Sequence, residues 1–176
     1  HKEGLISELE LLCRSKAIEN FVKLNLQGKL FLNVSPKTLL DPCHPKGETR
    51  HLTEQFGLAT NRVVIEVTEQ DKVDNDDLLL KTIAHYRELG FTIAIDDLGA
   101  GYSGLKQWSA LRPDYVKIDV ERTEDKLFKG GKKFFQLESI KSIMVEISND
   151  NFEFINNFLK ERNFLISEKY DQGAGD

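Results

Sequence analysis

Two cysteines, Cys13 and Cys43, are too few and too far apart for a disulfide framework or a thiolate metal cluster, so a reduced, cytoplasmic compartment is expected. No apolar run approaches the roughly 20 residues that a bilayer-spanning helix needs, and no secretory-signal pattern opens the chain. Positive charge is in deficit as well: 24 Lys and Arg against 29 Asp and Glu leave a net charge of -5. That deficit argues against a large polyanion such as duplex DNA held by counterion release, but not against a small phosphate ester held through bridging metal ions. What remains is ordinary globular material, 40% hydrophobic and 30% charged over 176 residues, of a length for one domain. The chain opens on His1 rather than Met, so a longer parent chain is expected.

The stretch richest in chemistry is Ile93-Ala94-Ile95-Asp96-Asp97-Leu98-Gly99-Ala100-Gly101-Tyr102-Ser103. A buried strand that runs into two adjacent carboxylates has a costly end unless positive charge meets it there. One or more metal ions would be the simplest such charge. Successive strand residues face opposite ways, so Asp97 can join Asp96 only where the chain turns; Gly99 and Gly101 permit a turn.

Around that stretch the chain alternates between two periodicities. Leu5, Leu9, Leu12, Lys16/Ala17, Phe21 and Leu24 recur at helical steps and predict an amphipathic helix, with Cys13 on its core side. Gly28 ends it, and residues 29–35 read as a buried strand stopped by Pro36. A connector from Asp41 to Arg62 holds a short helix near Thr49 to Phe56, and Val63-Val64-Ile65-Glu66-Val67 is a second strand. Acidic caps among Asp74 to Asp77 start a helix that runs to Leu89 and stops at Gly90. Phe91 to Ile95 is the third strand, Ser103 to Leu111 a short helix that packs through Trp108, and Tyr115 to Asp119 the fourth strand. Further on, Lys126 to Lys133 reads as a solvated turn. Residues 132–148 read as a helix or, through Ile143-Met144-Val145-Glu146-Ile147, equally as a strand. Phe152 to Leu159 predict a helix, and Phe164-Leu165-Ile166 a short final strand.

Strands alternating with helices imply parallel βα units, and continuous apolar strands imply burial on both faces. A polar residue marks the C-terminal end of each clear strand: Asn33, Glu66, Asp96 and Lys117, at intervals of 33, 30 and 21 residues. One buried acid at a strand end is ordinarily a satisfied structural residue. Four polar ends in succession are better explained by a (β/α) barrel, where such ends converge on the active-site face. The expected fold is α/β, a TIM-like (β/α) barrel incomplete in this chain.

Four ordered motifs carry a family resemblance. Phe31-Leu32-Asn33-Val34-Ser35-Pro36, Ile65-Glu66-Val67-Thr68-Glu69, Asp96-Asp97-Leu98-Gly99-Ala100-Gly101-Tyr102-Ser103 and Lys117-Ile118-Asp119 resemble the successive motifs of the EAL domain. That family hydrolyses the bacterial second messenger cyclic di-GMP to linear pGpG. The clear match spans about residues 4 to 119, with 120–176 divergent, inside one EAL-like domain over 1–176. The resemblance implies two metal ions, Mg²⁺ or Mn²⁺, with Ca²⁺ inhibitory. By the same resemblance, Asn33, Glu66 and Asp96 would hold one ion, and Asp96 with Asp97 the second. Lys117 would be an electrostatic partner of the attacking water or a phosphate oxygen, and Glu69 would support the glycine-rich loop. Fusion to sensory or GGDEF-type domains and a homodimer are further implications.

The departures from the family matter equally. No Glu-Ala-Leu tripeptide occurs in the sequence, so the family's first-strand ligand is missing from these residues. The later catalytic glutamate has two candidates, Glu146 on a strand reading and Glu153 by distance from Lys117, and neither has the flanking residues. Gln172-Gly173 resembles the family's late Gln-Gly pair. The expectation is therefore a phosphodiesterase whose activity in this chain is weak or absent. The alternative is a degenerate EAL domain that acts as a cyclic di-GMP receptor or protein-interaction module. His44, His51 and His85 share no spacing with acids or cysteines and read as surface or packing residues.

Overall fold

The computed structural model describes residues 2–35, 47–68, 76–98, 109–120, 123–147 and 149–168. Its strands are β1 (Leu30–Asn33), β2 (Val63–Thr68), β3 (Thr92–Asp96), β4 (Tyr115–Ile118) and β5 (Ser142–Val145). Its helices are α1 (Lys2–Lys23), α2 (Glu48–Gln55), α3 (Asp76–Glu88), α4 (Glu124–Gly130) and α5 (Asn149–Lys160). Every neighbouring pair of strands is parallel, and sheet order follows chain order from β1 to β5. A doubly wound sheet reverses its order partway; one that never reverses winds in a single direction, as a (β/α) barrel does.

Alternation along the strands sorts the side chains onto two faces. Leu32, Ile65, Val67, Ile93, Ile95, Val116 and Ile118 belong to the buried core together with Ile18 and Phe21 of α1, Leu52 of α2, and Leu79 and Ile83 of α3. The other face carries Phe31, Asn33, Glu66, Ala94, Asp96, Tyr115 and Lys117. It is concave: the rings of Phe31 on β1 and Tyr115 on β4 lie 5.4 Å apart edge to face, although these strands would stand about 14 Å apart in a flat sheet. At the sheet's two edges this inner face opens to solvent, with Phe31 39% and Met144 56% exposed.

The helical part of the first expectation holds, but the face is different. Phe21 is buried as expected, but Leu9, Leu12 and Leu24 are exposed, as is Cys13, while Arg14 and Ile18 are buried. Leu9 and Ile18 are nine residues apart, about two and a half turns, and so lie on opposite sides of the helix. The sequence offered two stripes, and the less hydrophobic one faces the sheet.

The C-terminal third also differs. Of the two readings of residues 132–148 the strand holds, at 142–145, whereas the expected turn at Lys126 to Lys133 is largely α4, whose Phe128 stacks on Phe135 at 4.6 Å. Residues 164–166 form no strand and leave Leu165 exposed. At the foot of the barrel, Gly90 ends the α3 region with φ 90, as expected of a helix stop. Asp114 there accepts a hydrogen bond from the Ile93 backbone N–H at 3.0 Å and pairs with Lys141.

Candidate active site

Three backbone hydrogen bonds continue the ladder just past the strand ends: Val34 N–H to Glu66 O at 3.0 Å, Leu98 N–H to Lys117 O at 3.1 Å and Glu146 N–H to Ile118 O at 3.2 Å. They fix the upper rim on which the polar residues stand. Asn33 pairs in register with Glu66, and Thr68, two residues on, pairs with Asp96. This stagger is the shear of a closing barrel, and it brings side chains of β2, β3 and β4 to one place.

At that place the Lys117 ammonium lies between two carboxylates, 2.9 Å from Glu66 Oε1 and 2.9 Å from Asp96 Oδ2. The contact to Asp96 is a hydrogen bond. The contact to Glu66 is an ion pair outside hydrogen-bonding geometry, and it leaves the buried Oε1 without a hydrogen-bond partner. Glu66 is 3% exposed. Burial, then the neighbouring Asp96 and Asp97 charges, push its carboxyl up, against the pull of Lys117. Burial works against the Lys117 ammonium, but the close contacts and charges of Glu66 and Asp96 outweigh it and hold its pKa above the ordinary value.

The chain turns at Asp97 itself, which takes φ 54 immediately after β3. Asp is among the few residues that tolerate this left-handed conformation. The turn expected from Gly99 and Gly101 is thus already made at Asp97; those glycines lie outside the described residues. Asp96 Oδ1 accepts the Asp97 backbone N–H at 3.0 Å. Burial first, then Asp96 and Asp119, push the Asp97 carboxyl up.

Beside this cluster is an open cavity of about 400 Å³, lined by Glu10, Asn33, Val34, Ser35, Thr68, Asp96 and Asp97. Four of the expected residues, Asn33, Glu66, Asp96 and Lys117, therefore gather on one face, with Asp97 at the cavity wall. Glu69 lies outside the described residues, as do Pro36, Cys43, His44, Asp74, Trp108 and the Gln172-Gly173 pair. Glu146 sits just beyond β5, two residues after Met144, which pairs with Lys117, while Glu153 is on α5.

Glu10 was missed by sequence reasoning, because choosing the Leu5-Leu9-Leu12 stripe as core turned it away from the sheet. Its Oε2 is buried without a hydrogen-bond partner. The signal available was Glu10-Arg14, a polar pair one turn apart on the same stripe as Ile18.

The donor chemistry fits a hard divalent cation, since these side chains offer carboxylate and amide oxygens and carboxylates outnumber the one ammonium. Among the described residues, however, no three His, Cys, Asp or Glu side chains are placed to hold a metal ion. Lys117 lies between Glu66 and Asp96.

Comparison with known proteins agrees with this architecture. Over 119 residues the chain is 34% identical to the cyclic di-GMP phosphodiesterase NbdA of Pseudomonas aeruginosa, an alignment covering 66% of this chain and 15% of that protein. It is 27% identical over 121 residues to the blue light- and temperature-regulated antirepressor BluF of Escherichia coli, covering 68% of this chain and 30% of that protein. The chain thus spans a minor part of these relatives. Among solved structures, a manganese and cyclic di-GMP complex of Klebsiella pneumoniae BlrP1 superposes with a TM-score of 0.69 at 25% identity, over 89% of this chain and 41% of that one. The family model of the EAL domain matches residues 1–148, past β5 and well beyond the motif ending at Asp119. On that match, and on the parallel order and polar strand ends that accompany it, the chain belongs to the EAL domain family.

Proposed function

We propose that this chain carries the greater part of a metal-dependent site that binds cyclic di-GMP and hydrolyses one of its phosphodiesters to give pGpG. The observation that carries the reading is the Lys117 ammonium bridging Glu66 and Asp96 at the rim of a cavity that also holds Asn33, Asp97 and Glu10. In this reading Asn33, Glu66 and Asp96 hold one Mg²⁺ or Mn²⁺, and Asp96 with Asp97 the other. Bound there, the ions would supply a water of lowered pKa and neutralise charge building on the phosphodiester. Lys117 then faces that water or a phosphate oxygen, and its raised pKa keeps it charged. Glu69 supports the glycine-rich loop. Glu10, which lines the cavity, accepts N–H donors from the edge of a guanine base through its carboxylate.

The same proposal covers organisation. Residues 1–176 form one EAL-type domain of a cytoplasmic protein, joined to sensory or GGDEF-type domains and able to form a homodimer. No described helix is long and apolar enough to cross a membrane.

The test is to incubate the chain with cyclic di-GMP and Mn²⁺ or Mg²⁺ and to follow pGpG by chromatography. Slow turnover that Asp96→Asn abolishes is the expected result. A second reading, a receptor or interaction module without turnover, is favoured by the lack of a three-ligand His, Cys, Asp or Glu cluster among the described residues. Binding of cyclic di-GMP with no pGpG would select it, and neither binding nor product would remove both.

A further inference from the structure

One buried charge has no use in the chemistry above. Arg14, one turn after Glu10 on α1, is 3% exposed, and a buried guanidinium is ordinarily kept only beside a carboxylate. Among the described residues no carboxylate makes an ion pair with it, and its Nη2 is buried without a hydrogen-bond partner. Its remaining nitrogens are specifically engaged. Nη1 donates to Thr49 Oγ1 on the first turn of α2 at 2.8 Å, and Nε reaches the backbone carbonyl of Glu10 at 3.4 Å. The Thr49 hydroxyl in turn lies 3.5 Å from the Tyr86 hydroxyl on α3. An apolar side chain could fill this space without the cost of desolvation, so packing alone does not account for an arginine here.

The guanidinium therefore grips the very turn of α1 that presents Glu10 to the cavity, and anchors it to α2 and α3. We propose that Arg14 is a positioning residue of the pocket, holding the Glu10 turn so that the Glu10 carboxylate at the cavity wall faces the N–H donors of a bound guanine. This rests on the cyclic di-GMP reading, which fixes what Glu10 meets.

The test is a double-mutant cycle on the full chain, titrating cyclic di-GMP in Ca²⁺ to suppress turnover and checking each variant by thermal melting. Glu10→Gln and Arg14→Met are each expected to weaken binding about tenfold, and the double variant no further than the weaker single one. Both singles should also lose the preference for cyclic di-GMP over cyclic di-IMP, whose bases lack the 2-amino donor. Arg14→Lys, which keeps the charge but not the forked geometry, should recover part of the loss. Should Arg14→Met fail to fold, Thr49→Val carries the same prediction with a smaller loss. Wild-type affinity in Arg14→Met, or losses that multiply in the double variant, would overturn the positioning role. A wild-type chain that binds no cyclic di-GMP would instead overturn the reading on which it rests.

Discussion

Lys117 decides the balance of charge between Glu66 and Asp96. Lys117→Met would leave the buried Glu66 carboxylate facing Asp96 with no cation between them. In metal-free buffer this is expected to cost about 2 kcal/mol in urea denaturation, less than a fully enclosed pair would lose because Lys117 is partly exposed. Added Mn²⁺ should return part of that loss, and a variant as stable as wild type would show that the pair contributes nothing. The raised carboxyls of Glu66 and Asp97 set a pH dependence of definite sign. Each holds its proton more tightly folded than unfolded, so its contribution to metal-free stability is full below the unfolded pKa and is lost as pH rises through the folded one. A cation needs both ionised, so its affinity climbs over the same range. Melting with and without Mn²⁺ from about pH 4 to pH 8 should show a gap that widens with pH; a constant gap would contradict the assignment. At this scale the sequence was informative wherever polarity broke an apolar strand, as at Asn33, Glu66, Asp96 and Lys117. It was silent on Glu10, because helical periodicity alone could not choose between two stripes of α1.

Between elements, the sheet is stitched at its lower end and left polar at its upper end. Asp114 accepts the Ile93 N–H through its side chain, donates its own N–H to Ile93 O at 2.8 Å, and pairs with Lys141. Asp114→Ala therefore loses a β3–β4 hydrogen bond and an ion pair to the segment entering β5, a cost of about 1–2 kcal/mol. Because this lies at the opposite end from the cavity, cation binding should be unchanged, which a parallel Mn²⁺ titration would verify. Gly90 is constrained twice: φ is 90, and an added Cβ would stand 2.7 Å from Thr60 Oγ1. Gly90→Ala is expected to lose about 2 kcal/mol by denaturant melting. The α1, α2, α3 and α5 helices and strands β1 to β4 were legible in the chain because each has a strong period and a punctuating Gly, Pro or acidic cap. The segment from 124 to 141 was not. Its Phe128, Phe134 and Phe135 are spaced for packing against α5, where Phe158 meets two of them, and that contact is invisible to a local window.

For the whole molecule, the order of the strands links fold to function. A parallel sheet that never reverses has all its C-terminal ends on one rim, so residues 33, 66, 96 and 117, remote in sequence, share one face. At the two edges of this sheet the inner face opens to solvent through Phe31 on β1 and Met144 on β5. The barrel class was legible from the βα repeat, whereas the choice of strand over helix at 142–145 and the exact wall of the cavity depended on contacts across the core. The central claim is that this rim is a cation-dependent cyclic di-GMP site. The most direct measurement is the affinity for cyclic di-GMP by calorimetry, with Ca²⁺ and with chelator, for wild type and Asp96→Asn. Binding that requires the cation and falls at least about tenfold in Asp96→Asn is the predicted result. Binding that ignores both the cation and the substitution would contradict it.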